Sequence, residues 1–423
     1  MRLPLHTLLL VGLSGSALVF GACKATSGSS IFETDPSSGG AGGGADSTVT
    51  GGMSSATGLS DGEGGGLIGL DGGPGGPDGS TQGCATGPDD DQDLDGFTAA
   101  QGDCNDCDAN VNPGAIEVIA VADADGGVPP SVDEDCDGMA DNVAPTCDDT
   151  LALADGDPMH AANAIDLCQK ATTADKKWGV LEAKYVRANG TPFNPGLQVG
   201  LQDSFGPNVN TQGGKRLLAI SSGHARTPSQ SGSCGSLECD SNYGGTAPPG
   251  FPQDVPGCDG DSEINDDVGF EVKLRAPKNA TGYSFNFFFY SFEYPEYVCT
   301  SWNDQFIALV NPPPAGSVNG NISFDSKTNP VSINIAFFSV CQGCALGTSA
   351  LQGTGFDTWN NAGGTGWLKT QAPVKGGDEF SIRFAIWDTG DQAYDSTTLI
   401  DNFQWIANGG TVSVITDPIS TPK

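Results

Sequence analysis

Val268-Gly-Phe270-Glu271-Val272-Lys273-Leu274-Arg275 places apolar side chains at alternate positions, with charged ones between them from Phe270 onward. Successive side chains of a β-strand point to opposite faces, so the run predicts a strand with one face in a core and the other in water. Ile382, Phe384 and Ile386, interleaved with Ser381, Arg383 and Ala385, repeat the pattern. Tyr283 to Tyr290 is aromatic towards both faces, as expected of a central strand covered on each side. Gly- and Pro-rich turns such as Asn311-Pro-Pro-Pro314 separate these runs, and no long helical period appears. The expected fold is mainly β, an antiparallel sandwich of jelly-roll type over residues 178–410, followed by a tail at 411–423.

Before the sandwich the texture changes. A connector at 147–177 carries one predicted helix from Pro158 to Gln169: Asp157 suits the N-cap, Pro158 the first helical position, and Met159, Ala162 and Ile165 share a face. Neighbouring Met159 and His160 diverge on a helix, so they read as a core Met and a surface His rather than a copper handle. Earlier still, residues 84–146 hold Asp91-Gln-Asp93-Leu-Asp95-Gly96-Phe97, then Gly102-Asp103-Cys104-Asn105-Asp106, Asn112-Pro-Gly-Ala-Ile-Glu117, and Asp133-Glu-Asp135-Cys136-Asp137-Gly138. Carboxylates at steps one, three and five, with Gly at step six to permit a sharp turn, bring several oxygens to one point. A hard cation such as Ca²⁺ requires that arrangement, and the expected ligands are Asp91, Asp93, Asp95, Asp103, Asp106, Glu117, Asp133, Asp135 and Asp137. The competing reading is a solvated acidic linker that binds ions only diffusely.

The acidic pieces resemble the MopE-type metal-binding motif of bacterial surface and secreted proteins. The twelfth position of the first loop, a bidentate Glu in an EF-hand, is Gly102 here, with Asp103 one step later. The reading is therefore a calcium loop without a helix-loop-helix frame. A copper scavenger, the activity behind the MopE name, is disfavoured by the scarcity of Met and His.

The chain has 423 residues, 52 acidic against 18 basic, for a net charge of −34. Such a charge excludes nucleic acid and anionic membrane surfaces as electrostatic partners and favours cations. No Lys or Arg lies between Lys24 and Lys170. Residues 24–83 are Gly- and Ser-rich and too poor in apolar groups to offset the entropy of ordering, so a flexible stalk is expected. Residues 1–23 have the basic start and short apolar run of a secretory signal. Gly21-Ala22-Cys23 resembles a bacterial lipobox, which implies a lipid on Cys23. Lys24 is similar to the residue found there in lipoproteins sent to an outer membrane.

Thirteen cysteines less Cys23 leave twelve, enough for six disulfides in an exported chain. Cys104 with Cys136 is the preferred pair, since both sit beside acidic ligands. Cys147 and Cys168 flank the helix, and Cys341-Gln-Gly-Cys344 reads as a structural disulfide rather than half a zinc site.

A second resemblance lies in the sandwich. Ser221-Ser-Gly223, Asn265-Asp266-Asp267, Ser291-Phe-Glu293-Tyr294-Pro-Glu296-Tyr297, Asn303-Asp304-Gln-Phe306 and Ile386-Trp-Asp388 through Asp391 and Asp395-Ser396 look like the choice-of-anchor L domain of bacterial surface proteins. That likeness implies a mode of attachment to cells and no activity. Glu293, Glu296, Asp304, Asp388, Asp391 and Asp395 have three readings: glycosidase acid and base, a second metal site, or structural acceptors for loop N–H groups. Ser221-Ser-Gly-His224 is not a Gly-x-Ser-x-Gly elbow, and no Gly-rich phosphate loop follows a predicted strand.

The expectation is a non-catalytic, calcium-binding lipoprotein on the outer membrane or cell surface, serving adhesion or interaction with an extracellular glycan or protein. The alternative is a polysaccharide-active hydrolase or carbohydrate-binding protein using the Glu293/Asp304 cluster and aromatics such as Tyr294, Tyr297, Trp302, Trp359 and Trp367.

Overall fold

A computed structural model describes residues 87–122, 126–239, 242, 244–335, 337–407 and 410–420. These belong to one compact unit, 72–423. The expected signal segment with Cys23, the expected stalk at 24–83 and Cys84 lie outside the described residues.

The two alternating runs pair with each other. β4 (Ile264–Arg275) and β10 (Glu379–Thr389) lie antiparallel, with Val272 opposite Ile382 and Phe270 opposite Phe384. β1 (Gly179–Val186) flanks β4, while β6 (Gln305–Asn311) and β7 (Val331–Ser332) follow β10, giving one five-stranded sheet. The aromatic run forms β5 (Gly282–Ser291) in the second sheet, between β9 (Leu368–Pro373) and β11 (Ser396–Ile406). β3 (Leu217–Ser221) and β2 (Val199–Gln202) extend this sheet beyond β11, and β8 (Gly363–Gly364) pairs with the end of β5. β12 (Ile415–Pro418) pairs with β9, so the sheet takes in part of the expected tail.

β5 shows why both its faces are aromatic. Phe285, Phe287 and Phe289 meet Phe306 and Phe384 in the main core between the sheets. Phe288 and Tyr290 point outward, into a second core with Phe205, Phe356 and Trp367. The long connections around 205 and 340–367 thus act as a lid on an outer sheet face. A third small core buries Trp387 on the outer face of the other sheet against Phe251.

The predicted helix forms over Pro158–Asn163, shorter than the sequence suggests. Asp157 caps it, accepting from Met159 N at 2.8 Å. It ends because Asp166 turns left-handed at φ 69°, which lets Leu167 N reach back to Ala162 O, a Schellman-type closure. Met159 packs against the main core and His160 pairs with Asp155 on the surface. Cys104–Cys136, Cys147–Cys168 and Cys341–Cys344 are disulfides as expected, joined by Cys234–Cys239 and Cys258–Cys299.

The acidic segment docks on the sandwich rather than standing apart. Lys278 N donates to Gly114 O, and Asn279 exchanges two hydrogen bonds with the backbone of Ile116. Trp178 Nε1 reaches Ala115 O, and Lys176 lies 5.0 Å over the Phe97 ring while donating to Gly96 O.

Candidate functional site

Two loops in the acidic segment share one hydrogen-bond template. In the first, Gly96 N binds Asp91, Asp95 N binds Asp93, and Phe97 N binds Asp95, at 3.0, 3.1 and 2.7 Å. In the second, Gly138 N binds Asp133, Asp137 N binds Asp135, and Met139 N binds Asp137, at 2.9, 3.1 and 2.8 Å. The fourth position is left-handed in both, at Leu94 and Cys136, as is the sixth, at Gly96 and Gly138. Gly makes that second turn without strain.

The template decides which oxygens remain for a ligand. Asp91, Asp93, Asp95 and Asp103 each commit one carboxylate oxygen to a backbone N–H. Their other oxygens, Asp91 Oδ1, Asp93 Oδ2, Asp95 Oδ2 and Asp103 Oδ2, are buried without a hydrogen-bond partner. Carboxylate oxygens of Asp91, Asp93 and Asp95 lie within 4.8 Å of one another, as do those of Glu117, Asp133 and Asp135. Asp103, the residue one step past the EF-hand's twelfth position, is drawn to the first loop and feels the charges of Asp93 and Asp91. Asp106 holds Gln92 N at 3.2 Å. In the second loop Glu117 accepts from Asp135 N and Asp141 N, and Asp137 is exposed.

Electrostatics resist this crowding. Burial, with the nearby Asp93, Asp103 and Asp91 charges, pushes the Asp95 carboxyl up to about 6. Burial first, then neighbouring carboxylates, also raises Asp93, Asp103, Glu117 and Asp135. Orphaned buried oxygens, all acceptors, in a field of like charge fit a hard cation. Cys104–Cys136 ties the two loops, one residue from Asp103 and between Asp135 and Asp137.

At one end of the sandwich the core itself turns from carbon to oxygen. The inward positions of β3, β6, β10 and β11, which carry Ile220, Phe306, Ile386 and Ile400, continue in the same alternation to Ser222, Asp304, Asp388 and Ser396. β5 likewise runs on to Ser291 and Glu293. Asp304 Oδ1 accepts from Thr389 N at 3.1 Å and Oδ2 from Ser396 Oγ at 2.6 Å, while Glu293 Oε2 accepts from Asp304 N. Burial dominates the shift at every one of these acids, pushing Asp304 up to about 7 and Glu293, Asp388 and Asp395 well above the usual carboxylate range. Asp391 is half-buried and holds Ala393 N, and Glu296 lies outside the group, exposed and bonded to Asn361.

Residues 272–403 match the model of the choice-of-anchor L domain. No curated protein and no solved structure matches the chain. The choice-of-anchor L domain points to a cell-surface protein. Its matched span supplies Glu293, Asp304, Asp388 and Ser396 of the polar end, and Ser222 reaches the same end from before the span. Among the described residues no helix is long and apolar enough to cross a membrane.

The candidate sugar-stacking residues divide. Trp367 is buried in the second core and Tyr294 stacks on Phe338. Trp302, Tyr297 and Trp359 are partly exposed and linked through Tyr394, with centroids 5.4, 5.5 and 6.3 Å apart in succession. Trp359 also borders a cleft of about 410 Å³ floored by Ser221, Asp395 and Thr397. Sequence reasoning missed Tyr394, which carries no signal beyond its place beside Asp395. It also missed the docking acid Asp148, which accepts from Lys215 N and Arg216 N at 2.6 Å.

Proposed function

We propose that the chain is a non-catalytic interaction module of the cell surface whose acidic segment is folded by Ca²⁺. The carrying observation is the set of orphaned oxygens at Asp91, Asp93, Asp95 and Asp103, held in place by backbone N–H groups on their other oxygens. Calcium there supplies the positive charge the loop lacks, and the second loop offers Asp133 and Asp135 at the same first and third steps, with Glu117 from outside the loop as the third carboxylate. Export through the lipobox-like start, with a lipid on Cys23, would tether the module to a membrane, and the Gly/Ser stalk would give it reach. A non-catalytic sandwich is supported by the sealing of Glu293 and Asp304, 1% and 0% exposed, which no polymer substrate can reach.

A second reading, glycan binding, is favoured by one observation: the exposed ladder Trp302–Tyr297–Tyr394–Trp359 beside the cleft. Sugar rings stack on such faces. Loss of glycan affinity in a Trp302→Ala, Trp359→Ala double variant with unchanged melting would support it.

The primary reading is tested by proteolysis of the oxidised protein, with calcium and with EGTA. Chelation should open cleavage between residues 89 and 141 and calcium should close it. Equal resistance in both conditions would refute calcium-dependent folding.

A further inference from the structure

The polar end of the sandwich has a surplus of acceptors that its own donors do not meet. Asp388 is wholly buried, and neither of its carboxylate oxygens makes a hydrogen bond of acceptable geometry, although Ser222 and Asp304 stand beside it. Asp395 Oδ1 and Asn303 Oδ1 are buried and unpartnered too, and each belongs to one of the connections that meet here. Among the described residues no Lys or Arg forms an ion pair with Glu293, Asp304, Asp388 or Asp395. Gly223 lets Asp395 approach: a Cβ there would lie 1.8 Å from its carboxylate.

Burying several carboxylates without counter-charge costs far more than the fold can tolerate, so protons or a cation must accompany them. One proton satisfies one or two lone pairs. It leaves most of the four orphaned oxygens of Asp388, Asp395 and Asn303 unmet, and the hydroxyls of Thr389 and Thr398, likewise buried and unpartnered here, are fewer than those acceptors. A hard cation meets several oxygens at once. We propose that the end of the sandwich around Asp388 is an internal site for a hard divalent cation, with Asp388 its principal ligand and Asp304, Asp395 and Asn303 its nearest candidates. No three carboxylates here converge within 4.8 Å as they do in the loops. A site here would thus have to draw part of its ligands from neutral oxygens, for which Asn303 Oδ1 is the unpartnered candidate. The role is structural: an ion at this point joins the ends of β6, β10 and β11 from opposite sheets and fixes the base of the Tyr297–Tyr394 surface.

This inference goes beyond the calcium loops and does not depend on them. The test uses full-length oxidised protein in which both loops are disabled by Asp93→Asn and Asp135→Asn, stripped with chelator and dialysed against calcium. Bound metal is counted by mass spectrometry and melting is followed with and without calcium. The expected result is one retained ion per chain and a melting temperature raised by calcium, both abolished by Asp388→Asn. Should Asp388→Asn not fold, Asp395→Asn, at the cleft floor, is expected to weaken retention at least tenfold. A loop-disabled chain that holds no calcium and melts identically with and without it overturns the proposal, as does an Asp388→Asn protein that keeps the ion. If instead wild type and loop-disabled protein bind the same single ion, the loop assignment fails and this one stands.

Discussion

Replacing Asp95 by Asn should change stability in opposite directions with and without calcium. Asn keeps the oxygen that accepts from Phe97 N at 2.7 Å and removes only the charge. Asp95 takes part in two of the three carboxylate contacts that lie within 4.8 Å in the first loop. At that separation each pair costs about 0.9 kcal/mol at the dielectric of water and about 3.5 kcal/mol at an effective value of 20. Asp91 and Asp93 are partly exposed, so the lower figure governs and Asn should relieve about 2 kcal/mol in the metal-free protein. In calcium the same change removes a charged ligand and should weaken binding at least about tenfold, or 1.4 kcal/mol. The assay is protease protection of the acidic segment in EGTA and across a calcium titration. Wild type should be the less protected in EGTA and the better protected in calcium. If Asp95→Asn loosened the segment equally in both, Asp95 would be a structural acceptor and the cage argument would fall.

Three further outcomes follow from the same geometry. Calcium affinity should fall as pH drops through about 6, because Asp95 then takes a proton that the ion must displace, with the raised Asp93, Asp103 and Glu117 adding to the effect; calorimetric titration at several pH values checks this. In metal-stripped protein the sandwich should gain stability as pH falls from about 7 towards 4, since Asp304, raised to about 7, binds its proton in the folded state before the unfolded chain does; denaturant midpoints with rising rather than flat or falling values at lower pH are expected. Phe285→Ala should cost about 3–5 kcal/mol in chemical denaturation, for a fully buried ring between the two sheets.

The sandwich was legible because its strands obey a two-residue period that nothing else in the chain imitates. Val272 and Ile382 were readable as inward, and they face each other across the β4–β10 ladder. The covering of Phe288 and Tyr290 was not readable as such. Their partners Phe205, Phe356 and Trp367 come from long connections whose path no periodicity records. The extra strand Ile415–Pro418 was hidden for a related reason: a short edge strand needs only backbone pairing, which the composition of a tail does not advertise. Among the acids, Glu293 and Glu296 stand three residues apart in one motif, yet one is sealed and the other exposed. Burial is decided by which side of the turn after β5 faces the other sheet. Both acidic loops could be read from their Asp-x-Asp-x-Asp-Gly spacing, whereas the three N–H contacts they share belong to the folded backbone alone.

The clasp between Lys278–Asn279 and Gly114–Ile116 joins the acidic loops to the turn between β4 and β5. Thermodynamic reciprocity then applies: whatever docking adds to ion affinity, ion binding returns to the sandwich in equal measure. A fragment ending before the connector should therefore hold calcium more weakly than the intact chain, and calcium held in the acidic loops would act as a remote brace for the β-structure they dock on.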